Sequence, residues 1–387
     1  MKLKLIKAKN IVTGSNLVTM ENAAILIENG KISKIYENAN QVQIQDNMDV
    51  IDMGSSTIIP GMIDCHNHLA LDTRIENHLA KMNDCEAEQT IRAIKTMKDD
   101  LLSGVTTARC LGDRFYIDVV CKQAQKEGRI IGPKLVVSGI GMRASHGHGY
   151  VGMPHCGAEE FRKTSRDNIA HGVDFLKVFM TKVINATPYI YHFLTPQELS
   201  VVVEEARSVG ITTACHCSGG QGLDDCVTAG IDCLEHVYYI NERQVERVNQ
   251  EDRWVVYTPS YALNEELLFK FSPKGKEESL KEKEIICKCL EKAIAGGLKF
   301  GIGTDGIHQG LGQEAEYISS LGASNKEVLA GITINAARLC GVHETTGAIV
   351  EGLAADLVAL DGNPLQDISA LKKVNAVFQN GNKIKLD

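Results

Sequence analysis

Two histidines that stand two positions apart, His66 and His68, end a short apolar run that begins at Pro60. Side chains alternate between the faces of a strand, so both imidazoles point to the same side and can bind one metal ion. Taken alone this pair is a weak signal, because a histidine at a strand end is more often a hydrogen-bonded structural residue. It indicates a metal site only if other strand ends supply further ligands.

Other apolar runs end in residues of the right types. His216 ends one run, His236 ends another, and Asp305 closes the last. Neutral imidazoles and a carboxylate are ligands that suit zinc and related divalent metals. Their joint placement at strand ends, rather than any one of them, predicts a metal centre.

A lysine, Lys177, lies within the apolar run Phe175–Phe179. A buried ammonium is costly and tends to lose its proton, although a strand lysine can also extend outward to solvent. A neutral amine beside metal ions can take up carbon dioxide as a carbamate and then bridge two cations. Lys177 therefore decides between a centre with one metal and a centre with two.

The elements that must position these residues alternate along the middle of the chain. Apolar runs typical of buried strands are separated by charged amphipathic stretches typical of helices, which indicates parallel βα units. We predict an α/β fold with a closed (β/α)8 TIM-type barrel, whose active sites form at the C-terminal ends of the strands. An open doubly wound sheet is the alternative, but no Gly-x-Gly-x-x-Gly follows the first of these strands. The predicted strands are Thr57–Asp64, Thr106–Cys110, Lys134–Ser138, Phe175–Phe179, Thr212–His216, Cys233–His236, Trp254–Thr258 and Phe300–Asp305.

Both ends of the chain have a different texture, with short alternating segments and turn residues such as Asn29-Gly30 and Asn380-Gly381. Two β-rich ends around a different middle predict one composite domain. We assign residues 1–58 and 348–387 to a small β-sandwich domain built from both chain termini, and residues 59–347 to the barrel.

Composition excludes several classes of function. A net charge of -8 gives no electrostatic reason to expect nucleic acid or an anionic membrane surface as a partner. The first residues have no apolar signal-peptide core, and no stretch reaches the roughly 18 apolar residues of a membrane span. Twelve cysteines in a chain of this kind are expected to be reduced thiols. These features predict a cytoplasmic protein with a small-molecule substrate.

The chain resembles the amidohydrolase superfamily over nearly its whole length, in particular the prolidase-like and imidazolonepropionase-like branch. The resemblance implies a metal-dependent hydrolase of a C–N bond in an amide, a peptide-like compound or a cyclic amide, on a barrel with a terminal β-sandwich. It also implies a homo-oligomer. The segments that carry it are Pro60–His68, Gly104–Arg109, Leu176-Lys177, His216 with Gly219 and Gly222, Ala229–His236, Gly303–Asp305, Thr333–Arg338 and Gly347–Leu357.

By this resemblance, the ligands divide between two divalent metal ions, with zinc as the expected metal. Carboxylated Lys177 and a hydroxide would bridge the two ions, and Asp305 would be the general base that returns its proton to the leaving group. One ion would be held by His66, His68 and Asp305, and the other by His216 and His236.

Substrate contacts are predicted from the loop after the third strand. Gly147-His148-Gly149 matches a family motif, and His148 would contact the substrate carbonyl or stabilise oxyanion charge. Arg143, His146 and Tyr238 are further candidates for substrate binding. The aromatic-rich stretch Thr181–Phe193 departs from the prolidase-like pattern, so dipeptidase activity does not carry over, and whether this stretch acts as a specificity loop stays open.

Two other functions compete. A mononuclear aminohydrolase that deaminates a heterocycle would not need Lys177, and that branch typically has a glutamate where this chain has Gly219. A non-catalytic scaffold relative would lack several ligands, whereas this chain keeps the complete set. The substrate itself is not readable from the sequence.

Overall fold

The structure, a computed structural model, describes residues 3–183, 189–265 and 273–385. Strands from both chain ends hydrogen-bond into one eight-stranded sheet, in the order β20-β19-β18-β5-β1-β2-β3 with β4 beside β1. The prediction that the two ends build a common β unit is confirmed. Its strands are β1 (Leu3–Thr13), β2 (Val18–Glu28), β3 (Lys31–Tyr36), β4 (Met48–Asp52), β5 (Thr57–Pro60), β18 (Leu357–Leu360), β19 (Val374–Gln379) and β20 (Asn382–Lys383).

The hairpin turns of this sheet follow from their sequences. Asn29 and Gly30 have φ angles of 52° and 78°, and Asn380 and Gly381 have φ angles of 48° and 70°. Two successive positive φ angles define the turn whose twist matches the flanking strands, and Asn-Gly is the pair that adopts it most readily. These turns join β2 to β3 and β19 to β20.

The middle of the chain consists of parallel strands in two sheets, with the orders β6-β7-β8 and β10-β9-β11-β14-β15-β16-β17. A separate hairpin pairs β12 with β13. The predicted strands are therefore present, in the predicted order. Their bounds are β6 (Met62–Asn67), β7 (Val105–Cys110), β8 (Lys134–Val137), β9 (Met142–Ala144), β10 (Met153–His155), β11 (Phe175–Phe179), β12 (Thr181–Val183), β13 (Ile190–His192), β14 (Thr212–Gly219), β15 (Cys233–Tyr239), β16 (Trp254–Tyr257) and β17 (Phe300–Ile302).

Backbone hydrogen bonds join the two parallel sheets at two places. The Asp174 N–H, just before β11, donates to the Val137 carbonyl of β8 at 2.8 Å, and the Thr304 N–H, just after β17, donates to the His66 carbonyl of β6 at 3.0 Å. Six of these strands also contribute a buried residue to one shared apolar cluster. Those residues are Ile63, Val136, Phe175, Ala214, Cys233 and Val256.

Helices follow most of the parallel strands. Several have the expected start signals; Thr195 and Glu198, for example, form a reciprocal capping box at the start of α4. Among helices within the described residues, none combines the length and apolar composition of a membrane span. The helices are α1 (Glu86–Leu102), α2 (Ile117–Lys126), α3 (Ala158–Ala170), α4 (Pro196–Ser208), α5 (Gly220–Ala229), α6 (Glu242–Gln250), α7 (Ser260–Leu263), α8 (Pro273–Ala295), α9 (Leu311–Ser320), α10 (Asn325–Gly331) and α11 (Ile334–Leu339).

The structure differs from the prediction at the first apolar run. The run Thr57–Asp64 is divided at Gly61 into β5 of the terminal sheet and β6 of the parallel sheet. A Cβ atom on Gly61 would lie 2.1 Å from the hydroxyl oxygen of Thr106 on β7. Only glycine therefore allows the chain between β5 and β6 to pass this close to β7. A continuous apolar run in the sequence cannot reveal this change of sheet.

Candidate active site

His66 and His68, on and just after β6, present their Nε2 atoms to one carboxylate oxygen. The distances to Asp305 Oδ1 are 3.2 Å from His66 and 3.4 Å from His68. The opposite ring nitrogens are occupied, since His66 Nδ1 lies 2.8 Å from a Glu235 carboxylate oxygen and His68 Nδ1 lies 2.8 Å from the Gly112 carbonyl. Because carboxylate and carbonyl oxygens only accept, Nδ1 carries a proton on both rings, and Nε2 is the atom that each ring would offer to a metal.

His216 and His236 face this group from β14 and β15. Their ring centroids are 4.4 Å apart, and His236 lies 4.8 Å from His66. Burial lowers the pKa of both rings well below the usual value, so both are neutral. Nδ1 of His236 is 2.7 Å from the Thr258 hydroxyl, whereas its buried Nε2 has no hydrogen-bond partner. An orphaned imidazole nitrogen of this kind fits a metal ligand.

Among the described residues, one group of ligand atoms is compact enough to be a candidate for holding a metal ion. Atoms of His66, His236 and Asp305 all lie within 4.8 Å of one another. The structure thus brings together residues from the first, sixth and eighth predicted strand ends, as expected of strands whose C-terminal ends meet.

Lys177, in the middle of β11, is fully buried and its Nζ atom has no hydrogen-bond partner. Burial lowers the pKa of this ammonium, and Nζ lies 4.9 Å from the centroid of the Phe179 ring. The prediction that this lysine points inward rather than to solvent is confirmed. A buried amine without a partner is a group that a metal site or a modification would satisfy.

Sequence reasoning missed a buried pair behind the ligands, formed by Glu235 and Arg109. Arg109 Nη1 donates to a Glu235 carboxylate oxygen at 2.9 Å, and its guanidinium lies 4.3 Å from the Phe175 ring centroid. Burial alone would raise the pKa of Glu235, but Arg109 and His66 outweigh it and hold this pKa well below the usual value. The only signal in the sequence was an arginine within the apolar strand β7.

Asp305 is held in place by its neighbours in the chain and by Asp64. Asp64 accepts from the Thr304 hydroxyl at 2.7 Å, from the Thr304 N–H at 3.1 Å and from the His66 N–H at 3.0 Å. Asp305 has a φ angle of 51°, which is uncommon for a residue with a side chain, and its N–H donates to the His66 carbonyl at 2.7 Å. These bonds fix a strained turn that aims the Asp305 carboxylate at the histidines.

A cavity of about 280 Å³ opens beside Asp305. His148 and Tyr238, both predicted substrate contacts, line it, and Tyr261, which sequence reasoning missed, lines it as well. Burial, followed by the charge of Lys182, lowers the pKa of His148 to about 4, and its Nδ1 atom is buried without a partner. His148 is therefore a neutral ring whose Nδ1 atom is available to form a hydrogen bond with a ligand.

The other predicted substrate contacts lie outside the lining of this cavity. Arg143 Nη1 donates to the carbonyls of Ala144 and Ser145, both at 3.1 Å, so this nitrogen is directed to its own loop, while Arg143 Nε is buried without a partner. His146 is exposed and packs edge-on against Phe193.

Within the stretch Thr181–Phe193, β12 and β13 pair as antiparallel strands. Residues 184–188 of this stretch lie outside the described part of the chain, and none of its described residues lines the cavity. Its role in specificity stays a prediction.

The cysteines match the expectation of reduced thiols, since each of the twelve is free. Cys215 and Cys217, on either side of His216, are buried in the main apolar cluster, where they pack against other side chains rather than into the site.

Comparisons with known proteins give a consistent picture. A profile described as "Amidohydrolase family" matches residues 57–384. Ochratoxinase from Aspergillus niger is 29% identical over 358 residues, which cover 83% of this chain and 73% of that protein. A 5'-deoxyadenosine deaminase from Methanosarcina acetivorans is 23% identical, covering 88% of this chain and 80% of that protein. The crystal structure of a Xaa-Pro dipeptidase with methionine bound in its active site is 22% identical, covers 99% of this chain and 100% of that chain, and has a TM-score of 0.86.

Proposed function

This chain belongs to the amidohydrolase family and is a hydrolase of carbon–nitrogen bonds, and on that premise we propose that it cleaves an amide bond at a centre of two divalent metal ions. His66, His68 and Asp305 would hold one ion, and His216 and His236 the other. Lys177, carboxylated on Nζ, would reach both. Zinc is the metal that this set of imidazoles and carboxylates favours.

The barrel is part of the same proposal. We infer that the parallel strands close into a ring, because hydrogen bonds link β8 to the segment just before β11 and β6 to the segment just after β17, and six strands contribute to one buried apolar cluster. Closure places the C-terminal ends of β6, β11, β14, β15 and β17 around one mouth, as an eight-stranded barrel requires. In the same way, we infer that the terminal sheet folds over its own apolar face as a sandwich, since β1 pairs with β4 along its first half and with β5 along its second.

The protein's own residues divide the chemistry among them. Bound divalent metals would polarise the substrate carbonyl and make a water nucleophilic at neutral pH. Asp305 starts ionised, because His66 and His68 outweigh burial and hold its pKa well below the usual value. Its carboxylate accepts a proton from the attacking water and delivers it to the departing nitrogen as the C–N bond breaks. The products are a carboxylic acid and an amine, and neutral His148 can donate one N–H to the carbonyl oxygen as its charge grows.

Lys177 is the observation that supports two metals rather than one. A lysine in a strand interior with no hydrogen bond and no ion pair of its own is destabilising unless something satisfies it. Its strand lies directly beside β14, which carries His216, and Phe179 of β11 is in register with His216. The amine is therefore placed on the same side of the site as the second pair of histidines.

The second candidate is a mononuclear deaminase of a heterocycle. It is favoured by the compact group of His66, His236 and Asp305, the one such group found among the described residues, and by the similarity to a deaminase. Such an enzyme has no use for Lys177, so the two candidates differ in metal content and in their need for this lysine.

Metal analysis of Lys177→Met separates them. Wild-type protein purified without chelator is expected to hold two equivalents of divalent metal, and Lys177→Met about one or fewer, with amide hydrolysis lost. Methionine has a similar volume and needs no partner, so the metal-free variant should unfold at a higher temperature than the metal-free wild type. This higher unfolding temperature would show that the variant is folded and that its lower metal content is not caused by misfolding.

Lys299→Met is the matched control, because Lys299 lies at the start of another barrel strand but pairs with Asp252 near the surface. It should keep both equivalents. One equivalent in the wild type, with Lys177→Met still loaded and active, would favour the deaminase and reject the binuclear proposal.

A further inference from the structure

The walls of the cavity beside Asp305 are largely apolar. Leu71, Leu79, Val151 and Phe179 contribute aliphatic and aromatic surface, and the volume of about 280 Å³ is at the small end of ligand pockets. Leu79 is 48% exposed and stands at the rim, whereas Leu71 and Phe179 are buried deeper. A hydrocarbon group that enters this space displaces water from surfaces that bind water poorly.

Two of the three tyrosines that line the cavity, Tyr238 and Tyr261, also present carbon rather than oxygen to a ligand. The Tyr238 hydroxyl donates to the Thr258 carbonyl at 2.7 Å, and the Tyr261 hydroxyl donates to the Asp305 carbonyl at 2.9 Å. Both phenols are thus engaged with the backbone. Their rings remain as flat walls, against which an aromatic ring packs well.

Apart from its histidine rings and the metal ions proposed above, this cavity offers a charged group no strong partner. Among the described residues that line it there is no lysine or arginine, and the one carboxylate, Asp305, faces His66 and His68. Lys182 acts on His148 through its charge but does not line the space. Transfer of a carboxylate or an ammonium into such surroundings without a counter-charge is strongly unfavourable.

We propose that the substrate of this enzyme places an uncharged apolar or aromatic group, on one side of its scissile amide, between Leu79, Val151, Phe179 and Tyr261. The inference rests on the proposed amide hydrolysis and adds the chemical class of the substrate. Free dipeptides and other amides with a charge next to the bond on both sides are excluded by it.

Two matched series of amides test the inference with the metal-loaded enzyme. The first varies the acyl group of a para-nitroanilide among benzoyl, succinyl and γ-aminobutyryl. The second varies the amine of an N-acetyl amide among phenethylamine, β-alanine and ethylenediamine. In at least one series, kcat/KM for the aromatic member should exceed that of both charged members at least about tenfold. Equal or better cleavage of a charged member in both series overturns the inference.

The rim residue Leu79 allows a sharper test. Leu79→Arg should raise kcat/KM for the anionic member of the responding series about two- to fivefold, as expected for a partly exposed ion pair, and lower it for the aromatic member. Ile91→Arg is the matched control, because Ile91 is an exposed apolar residue of α1 that does not line the cavity. An equal change in both variants would show that Leu79 does not contact the substrate.

Failure of the inference and failure of the proposed function have different signatures. If the enzyme hydrolyses charged amides and rejects aromatic ones, amide hydrolysis stands and the inference is wrong. If it hydrolyses no member of either series, the proposed function fails. Calorimetric binding of the same compounds then decides the inference alone: tighter binding of the aromatic member than of both charged members in at least one series supports it, and equal or tighter binding of a charged member in both series overturns it.

Discussion

Glu235 accepts a hydrogen bond from Nδ1 of His66 at 2.8 Å. The contact lies on the far side of the ring from Nε2, which faces Asp305. It therefore fixes both the tautomer and the tilt of the first proposed ligand, as partners behind metal-binding histidines commonly do. Arg109 keeps Glu235 ionised, so a buried ion pair between β7 and β15 orients a side chain of the candidate site.

Removing the charge of Glu235 should weaken metal binding. Glu235→Gln keeps the volume but leaves Arg109 without its counter-charge, and we expect the affinity for the more tightly held metal to fall about 10- to 100-fold. Competition with a chelating dye measures this directly. Glu246→Gln, at an exposed position of α6, should bind metal as the wild type does. Unchanged affinity in Glu235→Gln would mean that His66 is oriented by packing alone.

Removing the hydroxyl of Thr304 should destabilise the protein more than removing the hydroxyl of another buried threonine. Thr304→Val removes the bond to Asp64 that holds the turn before Asp305, and we expect the free energy of unfolding to fall by about 1–3 kcal/mol, together with kcat. Thr107→Val is a close control, because the Thr107 hydroxyl is buried without a partner and its loss should cost nothing. Chemical denaturation of both variants checks the difference; equal losses would remove any special role of the turn.

Ionisation of His148 should not contribute to the pH dependence of kcat between about pH 5 and 8. Burial lowers the pKa of His148 to about 4, so the imidazole takes up a proton only below that pH and is neutral from about pH 5 to 8. We expect His148→Gln to lower kcat about 10- to 1,000-fold if the ring stabilises the oxyanion, while the acidic limb of the profile stays at the same pH. A wild-type limb between pH 6 and 7 that disappears in His148→Gln would contradict this assignment.

Local signals in the sequence predicted much of the fold. Strand positions followed from short apolar runs, and β11 begins and ends where the predicted strand Phe175–Phe179 does. The Asn-Gly turns specified their own backbone, because few other pairs tolerate two positive φ angles. The ends of parallel strands then brought His66, His236 and Asp305 together without any further information.

Long-range pairings were not predictable in this way. Arg109 and Glu235 are 126 positions apart, and nothing in either strand specifies its partner. The predicted substrate contacts Arg143 and His146 do not line the cavity for a related reason. The direction of a side chain in a loop depends on local hydrogen bonds that the sequence does not specify. Arg143 is turned to the carbonyls of its own loop, whereas Tyr261 reaches the cavity from a short helix that carries no motif.

The single residue Gly61 between β5 and β6 has a consequence for the whole molecule. Pro60, the last residue of β5, is paired with Leu357 at the start of β18, while β6 leads directly to His66. The C-terminal strand β18 thus pairs with β5, and only Gly61 separates β5 from β6, the strand that carries His66. We expect that deleting the C-terminal strands would lower the affinity for metal, although these strands contain none of the proposed ligands.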